Sequence, residues 1–191
     1  MLNEEQERRI NFYNDISEQE KVEFINGEII VHSPAKMQHN RAMLLLAQLL
    51  NLYSNEHDLG FVGAEKIMIK LTRNDYEPDI CFFKSDKADH FKEHQMFFPI
   101  PDLIVEILSP STESRDRGVK FKDYESHGVE EYWIIDADNQ VVEQYHLVET
   151  EYSLILHSSK SVIESFAVKG FKIPIAAIFD KRENAKAMRN I

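Results

Sequence analysis

Six consecutive residues, Leu103-Ile104-Val105-Glu106-Ile107-Leu108, constrain this chain more than any other stretch. The run is short and aliphatic, Pro99 and Pro101 frame its start, and Pro110 ends it. That pattern predicts a central strand covered on both faces, which requires a sheet with layers above and below. Inside it sits one carboxylate, Glu106. A charge held among such neighbours costs several kcal/mol unless it is paired or bound to a cation.

The rest of the chain supplies the layers. From Val22, two alternating runs surround Asn26-Gly27, the strongest short-range signal for a hairpin, and Pro34 closes the second run. Residues 36 to 57 space Met43, Leu46, Leu50 and Tyr53 three or four apart, so a long helix with one apolar stripe is expected, stopped at Asp58-Leu59-Gly60. FVGAEKIMIKL alternates as one half-buried strand, PDICFF reads as a second strand covered on both faces, and residues 85 to 98 read as loop or irregular helix. After Pro110, Ser111 or Thr112 can cap a helix over about Glu113 to Ser126, with Gly128 as its stop. EEYWIID, VVEQYHLV and EYSLILH follow as strands, and FKIPIAAIF as an apolar segment that docks on the sheet. Interleaved strands and helices define an α/β chain, an α+β mixed sheet flanked by helices. One domain over residues 1–191 is expected, with a lead-in at 1–21, a core at 22–179 and a loose basic tail at 180–191.

Composition narrows the class. One cysteine, Cys81, excludes an internal disulfide or a cysteine-rich zinc site and reads as an inert buried thiol. No HxxxH or HExxH spacing and no glycine-rich phosphate loop occurs. The acidic N-terminus does not resemble a signal peptide, and no stretch approaches about 20 apolar residues, so a cytoplasmic protein with no membrane contact is expected. A formal charge of −11 argues against a generally basic nucleic-acid binder.

Asp79 opens PDICFF as Glu106 interrupts the central run. Each has a plain explanation: Asp79 could cap a strand, and Glu106 could pair with a core arginine or face solvent from an edge strand. Together, two acids on adjacent strands make the oxygen-rich site that Mg²⁺ prefers.

These residues also carry a resemblance. PD followed by a second acid in an apolar strand is similar to the PD-(D/E)xK nuclease superfamily. More narrowly, PDICFF, PDLIVEILSPST, the spacing Asp116, Lys120, Tyr124, the string GVEEYWIID, and NGEIIVHSP followed by His39 resemble the Uma-two family of restriction-endonuclease-like proteins, from about Val22 to Phe179. The resemblance implies a restriction-endonuclease-like core with an N-terminal hairpin and long helix. It implies a divalent metal, Mg²⁺ or Mn²⁺, held by Asp79, Glu106 and the main-chain carbonyl of Ile107, and hydrolysis of DNA to a 5′-phosphate and a 3′-hydroxyl.

Two residues after Glu106 the superfamily's lysine is replaced by Leu108, and the resemblance implies a lysine taken from the following helix, Lys120 as first candidate and Lys122 as second. Lys120 shares a face with Asp116 and Tyr124, whereas Lys122 points about 200° away. Lys120 would orient the attacking water or stabilise the transition state; the plain alternative is a surface Asp-Lys pair. His39 and Glu28 are further candidates, against a helix-surface histidine and a solvated charge. Arg115, Arg117, Lys120 and Lys122 form a basic run after the metal strand, expected to contact DNA weakly and salt-sensitively. A homodimer follows by analogy with nucleases that cut two strands. The rival reading is a non-catalytic nuclease-fold domain that binds protein or nucleic acid; a small-molecule phosphoesterase would suit the acidic surface but has no pocket motif.

Overall fold

The computed structural model describes residues 4–16 and 21–191; parts of the expected lead-in lie outside the described residues. In chain order, α1 (Glu4–Asp15) precedes a hairpin of β1 (Val22–Ile25) and β2 (Glu28–Val31), then α2 (Met37–Glu56). Next come β3 (Gly60–Ala64), β4 (Met68–Lys70), β5 (Asp75–Tyr76), β6 (Ile80–Lys84), the single turn α3 (Ser85–Ala88), β7 (Phe97–Phe98) and β8 (Leu103–Ile107). A helical segment follows as α4 (Glu113–Arg115), a π-helical turn over Asp116–Lys120, and α5 (Phe121–Ser126). The chain ends with β9 (Glu131–Asp136), β10 (Val141–Val148), β11 (Glu151–Ser158), β12 (Val162–Glu164), β13 (Lys172–Pro174), α6 (Ala176–Phe179) and α7 (Lys181–Met188).

Six strands form the main sheet in the order β11-β10-β9-β8-β6-β3, and five form a second sheet, β2-β1-β5-β4-β7. β8 runs parallel to β9 and antiparallel to β6, so the main sheet is mixed. All five residues of β8 are buried. Leu103, Val105 and Ile107 pack under α2 through Met43, Leu46 and Leu50, while Ile104 packs on the opposite face with Tyr124 and Tyr132. Because side chains alternate along a strand, Glu106 shares the face of Ile104, and Asp79 that of Cys81 and Phe83. Both acids therefore face the 113–126 segment.

The hairpin forms as expected, with Asn26 and Gly27 at φ 52° and 84°, the left-handed pair a type I′ turn needs. Elsewhere the chain departs from expectation. FVGAEKIMIKL is two strands in two sheets, because Glu65 and Lys66 adopt φ 54° and 38° and turn the backbone between them. The left-handed residue closing α2 is Asp58, at φ 52°. Gly60, at φ 147°, serves instead for close approach, since a Cβ there would lie 2.0 Å from the Phe83 carbonyl oxygen. Thr112 does not cap its helix; its hydroxyl lies 3.0 Å from Ser109 Oγ.

The C-terminal segment is not loose. Asp180 accepts from the Arg182 and Glu183 amides at 2.8 and 3.0 Å and starts α7. Asn184, buried in α7, donates to the carbonyls of Leu45 and Ala177, both at 2.9 Å, and Ala187 joins the core. Among the described residues no helix is long and apolar enough to cross a membrane.

Candidate active site

The β6–β8 register pairs Ile80 with Val105, and one further step sets Asp79 opposite Glu106. The crossover from β8 to its parallel neighbour β9 carries the 113–126 segment back over that face. There the Lys120 ammonium lies 2.7 Å from Glu23 Oε1, 3.0 Å from Glu106 Oε1 and 3.4 Å from Asp116 Oδ1. The Tyr124 hydroxyl donates to the same Glu106 oxygen at 3.0 Å. The π-helical turn keeps Asp116, Lys120 and Tyr124 buried together, as the four-residue spacing predicts. Asp79 has partners on both oxygens: Oδ2 accepts from the Ile107 amide at 2.8 Å, and Oδ1 lies 2.7 Å from Lys21 Nζ and 3.4 Å from His39 Nε2. Behind Lys120, Glu23 Oε2 lies 3.0 Å from His32 Nε2.

Four buried carboxylates, Glu23, Asp79, Glu106 and Asp116, thus face two ammonium groups, Lys21 and Lys120. If all ionise, two negative charges are in excess before His39 is counted. Burial pushes the Glu106 carboxyl up to about 8; Lys120 opposes this, while Asp116, Asp79 and Glu23 add to it. Burial also raises Asp116. Burial alone would raise Glu23, but Lys120 and His32 more than offset it and hold that carboxyl down. Burial is likewise outweighed at Asp79, where His39 and Lys21 hold the carboxyl far below its usual range. The Lys120 ammonium stays charged because Glu106, Glu23 and Asp116 overcome its desolvation.

Lys21, His39, Asp79, Glu106, Arg115 and Lys120 are among the residues lining one cleft of about 530 Å³. Two carboxylates lining one cleft match the hard oxygen donors of Mg²⁺ or Mn²⁺, which take one or two carboxylates and complete their shell with water. Among the described residues no group of three or more His, Cys, Asp or Glu is arranged to hold an ion, so water or substrate would have to supply the other ligands.

The fold brings together Asp79, Glu106, Lys120 and, at the cleft edge, His39. Ile107 lines the same cleft and donates its N–H to Asp79. Glu28 is exposed beside the hairpin turn and does not line the cleft. The contiguous basic strip expected over 115–122 does not form. Arg115 lines the cleft with a buried, unpaired Nε. Arg117 is committed to Glu143 at 2.8 and 2.9 Å and to Glu113 at 3.1 Å. Lys120 is 1% exposed, and Lys122 is exposed, unlike Lys120 on the cleft side. Sequence reasoning missed Glu23, although its setting among Val22, Phe24 and Ile25 repeats the signal of Glu106. Lys21 and His32 carry no local signal.

A family model described as "Putative restriction endonuclease", Uma2, matches residues 7–176. The chain is 33% identical to the uncharacterized protein sll1609 of Synechocystis sp. over 131 residues, 68% of this chain and 73% of that one. It is 31% identical to the uncharacterized protein slr1290 of the same organism over 163 residues, 79% of this chain and 83% of that one. A solved structure, a putative nuclease belonging to DUF820 from Anabaena variabilis ATCC 29413, superposes with a TM-score of 0.75 at 20% identity, covering 89% of this chain and 96% of the other. That likeness is one of fold.

Proposed function

The chain belongs to the Uma2 family, and from that membership we propose that it is a metal-dependent endonuclease that hydrolyses DNA phosphodiester bonds at the Asp79–Glu106 cleft. The observation that carries this reading is the pair of acids, Asp79 and Glu106, set opposite each other on adjacent strands and lining the same cleft. Asp79 and Glu106 would hold Mg²⁺ or Mn²⁺. A divalent cation there supplies charge against the phosphate and makes water a better nucleophile near neutral pH.

The chain's own residues do the rest. Ile107 N–H and His39 fix the orientation of Asp79, and Tyr124 and Lys120 that of Glu106. Arg115 lines the cleft, where its guanidinium would meet a phosphate oxygen of the bound strand. Water adds to phosphorus, the bond to O3′ breaks, and O3′ leaves with a proton from solvent, so no covalent intermediate is needed.

One observation favours the second reading, a nuclease-fold domain that binds without cutting: both Asp79 oxygens already have partners. Incubation of plasmid and single-stranded DNA with Mg²⁺ or Mn²⁺ separates the two. Cleavage is expected from the wild type and not from Asp79→Ala or Glu106→Ala. Cleavage that survives both substitutions overturns the proposal, and wild-type protein that binds DNA without cutting it in either metal selects the second reading.

A further inference from the structure

Two lysines stand in the site and they differ. Lys120 is 1% exposed and divides its ammonium among three carboxylates, so losing its contact to Glu106 would still leave Glu23 and Asp116. Lys21 lies at the cleft edge with its side chain 16% exposed, and its ammonium sits 2.7 Å from one oxygen, Asp79 Oδ1. The other oxygen of Asp79 is held by the Ile107 amide. Oδ1 is therefore the oxygen open to any cation, and Lys21 stands on it.

Resting on the metal-site reading above, we infer that Lys21 is an exchangeable counter-charge: it neutralises Asp79 while no cation is bound and, displaced by the cation, turns its ammonium to the substrate phosphate. Two cations on one carboxylate oxygen repel, and the one held by a single flexible stem is the one that moves. The released ammonium stays in the cleft, where the backbone phosphate of a bound strand is the strongest acceptor to hand. His39, 3.4 Å from Oδ1, keeps the carboxylate oriented through the exchange.

Calorimetric titration with Mn²⁺ alone tests the first half without relying on cleavage. Lys21→Gln keeps a donor for Asp79 but removes the charge, so Mn²⁺ is expected to bind about tenfold more tightly, the scale of one charge-assisted hydrogen bond. Lys21→Arg should stay near the wild type. Lys36→Gln, which loses a cleft-mouth lysine paired with Asp138 at 3.8 Å, should change little and so controls for charge alone. The second half is read from DNA binding in Ca²⁺ across salt concentrations. There Lys21→Gln should flatten the slope of log K against log salt by about 0.7–0.9, one phosphate contact. Wild-type protein that binds Mn²⁺ with the same affinity as Lys21→Gln overturns the inference and leaves the metal site standing. An unchanged salt slope overturns the phosphate contact. Wild-type protein that takes up no Mn²⁺ overturns the metal reading and this inference with it.

Discussion

Replacing Lys120 by methionine removes the charge that holds three buried carboxylates together while nearly conserving volume. Its ammonium lies within 3.4 Å of Glu23, Glu106 and Asp116 and is shielded from solvent. Breaking a buried ion pair from one side costs about 3–5 kcal/mol, because the partner is left charged and unpaired. Glu106, already pushed up to about 8, takes a proton near neutrality and relieves part of the strain. That places the loss near the lower end, about 3 kcal/mol, or roughly 6–12 °C in Tm for a chain of this size. Glu23 sets the pH dependence. Lys120 and His32 together hold its folded pKa below the usual 4.5; without Lys120, burial is opposed by His32 alone and that pKa rises from its wild-type position. Raising a carboxyl's folded pKa costs nothing where the group is protonated and costs more as pH climbs through the raised pKa. The deficit of Lys120→Met should therefore be larger at about pH 8 than at about pH 5, where protons replace the lysine. Urea unfolding at both pH values measures it, beside Lys122→Met, an exposed change expected to stay within about 0.5 kcal/mol. Equal stability of the two variants, or a deficit that does not change with pH, would refute the reasoning.

Glu131 is fully buried and accepts from Trp133 Nε1 and Gln144 Nε2 at 2.6 Å, Ser165 Oγ at 2.5 Å, and the amides of Phe166 and Ala167 at 3.1 and 3.0 Å. Glu131→Gln turns an NH₂ toward donors, so a loss of about 2–3 kcal/mol is expected, with faster amide exchange at 166 and 167 by hydrogen-exchange NMR. Gly60→Ala sets a methyl against the Phe83 carbonyl and should cost about 3 kcal/mol, visible as a lowered Tm. Arg115→Ala should flatten the salt dependence of DNA binding in Ca²⁺, and Arg117→Ala, whose side chain is spent on Glu143, should not; fluorescence anisotropy across salt concentrations distinguishes them.

What the sequence discloses follows the range of the interaction. β8 and its burial on both faces follow from local pattern, as do the hairpin at Asn26-Gly27 and the common helix face of Asp116, Lys120 and Tyr124, whereas the face shared by Glu106 and Asp79 depends on the register between two strands. Asp180 with Glu183 three residues on was legible as a helix start, but a basic composition concealed it. The break at Glu65-Lys66 was not legible, because neither residue type favours the left-handed region it occupies. Glu23 and Lys21 reach the site from a second sheet, more than fifty residues before Asp79, and no periodicity encodes which sheets will face one another. The same limit explains the basic run: charge spacing within one helix was readable, but Glu143, which claims Arg117 from β10, was not.

The net charge of −11 has a structural answer as well. Glu23, Asp75, Glu77, Asp79, Asp102, Glu106, Asp116, Glu131 and Glu143 are buried, as is Lys120. Taking those nine acids and one lysine out of −11 leaves −3 on the remainder of the chain. Nine of the 33 acids are thus internal, where they meet Lys120, Arg9, Lys87 or backbone amides rather than solvent. A phosphate approaching the cleft meets Arg115 and Lys21 at close range, beside Asp79 and Glu106, whose charge a bound cation would offset; charges farther away are screened by salt beyond about 8–10 Å. Attraction therefore rests on a few short contacts, and binding that rests on few contacts has a shallow salt slope that each lost cation visibly reduces.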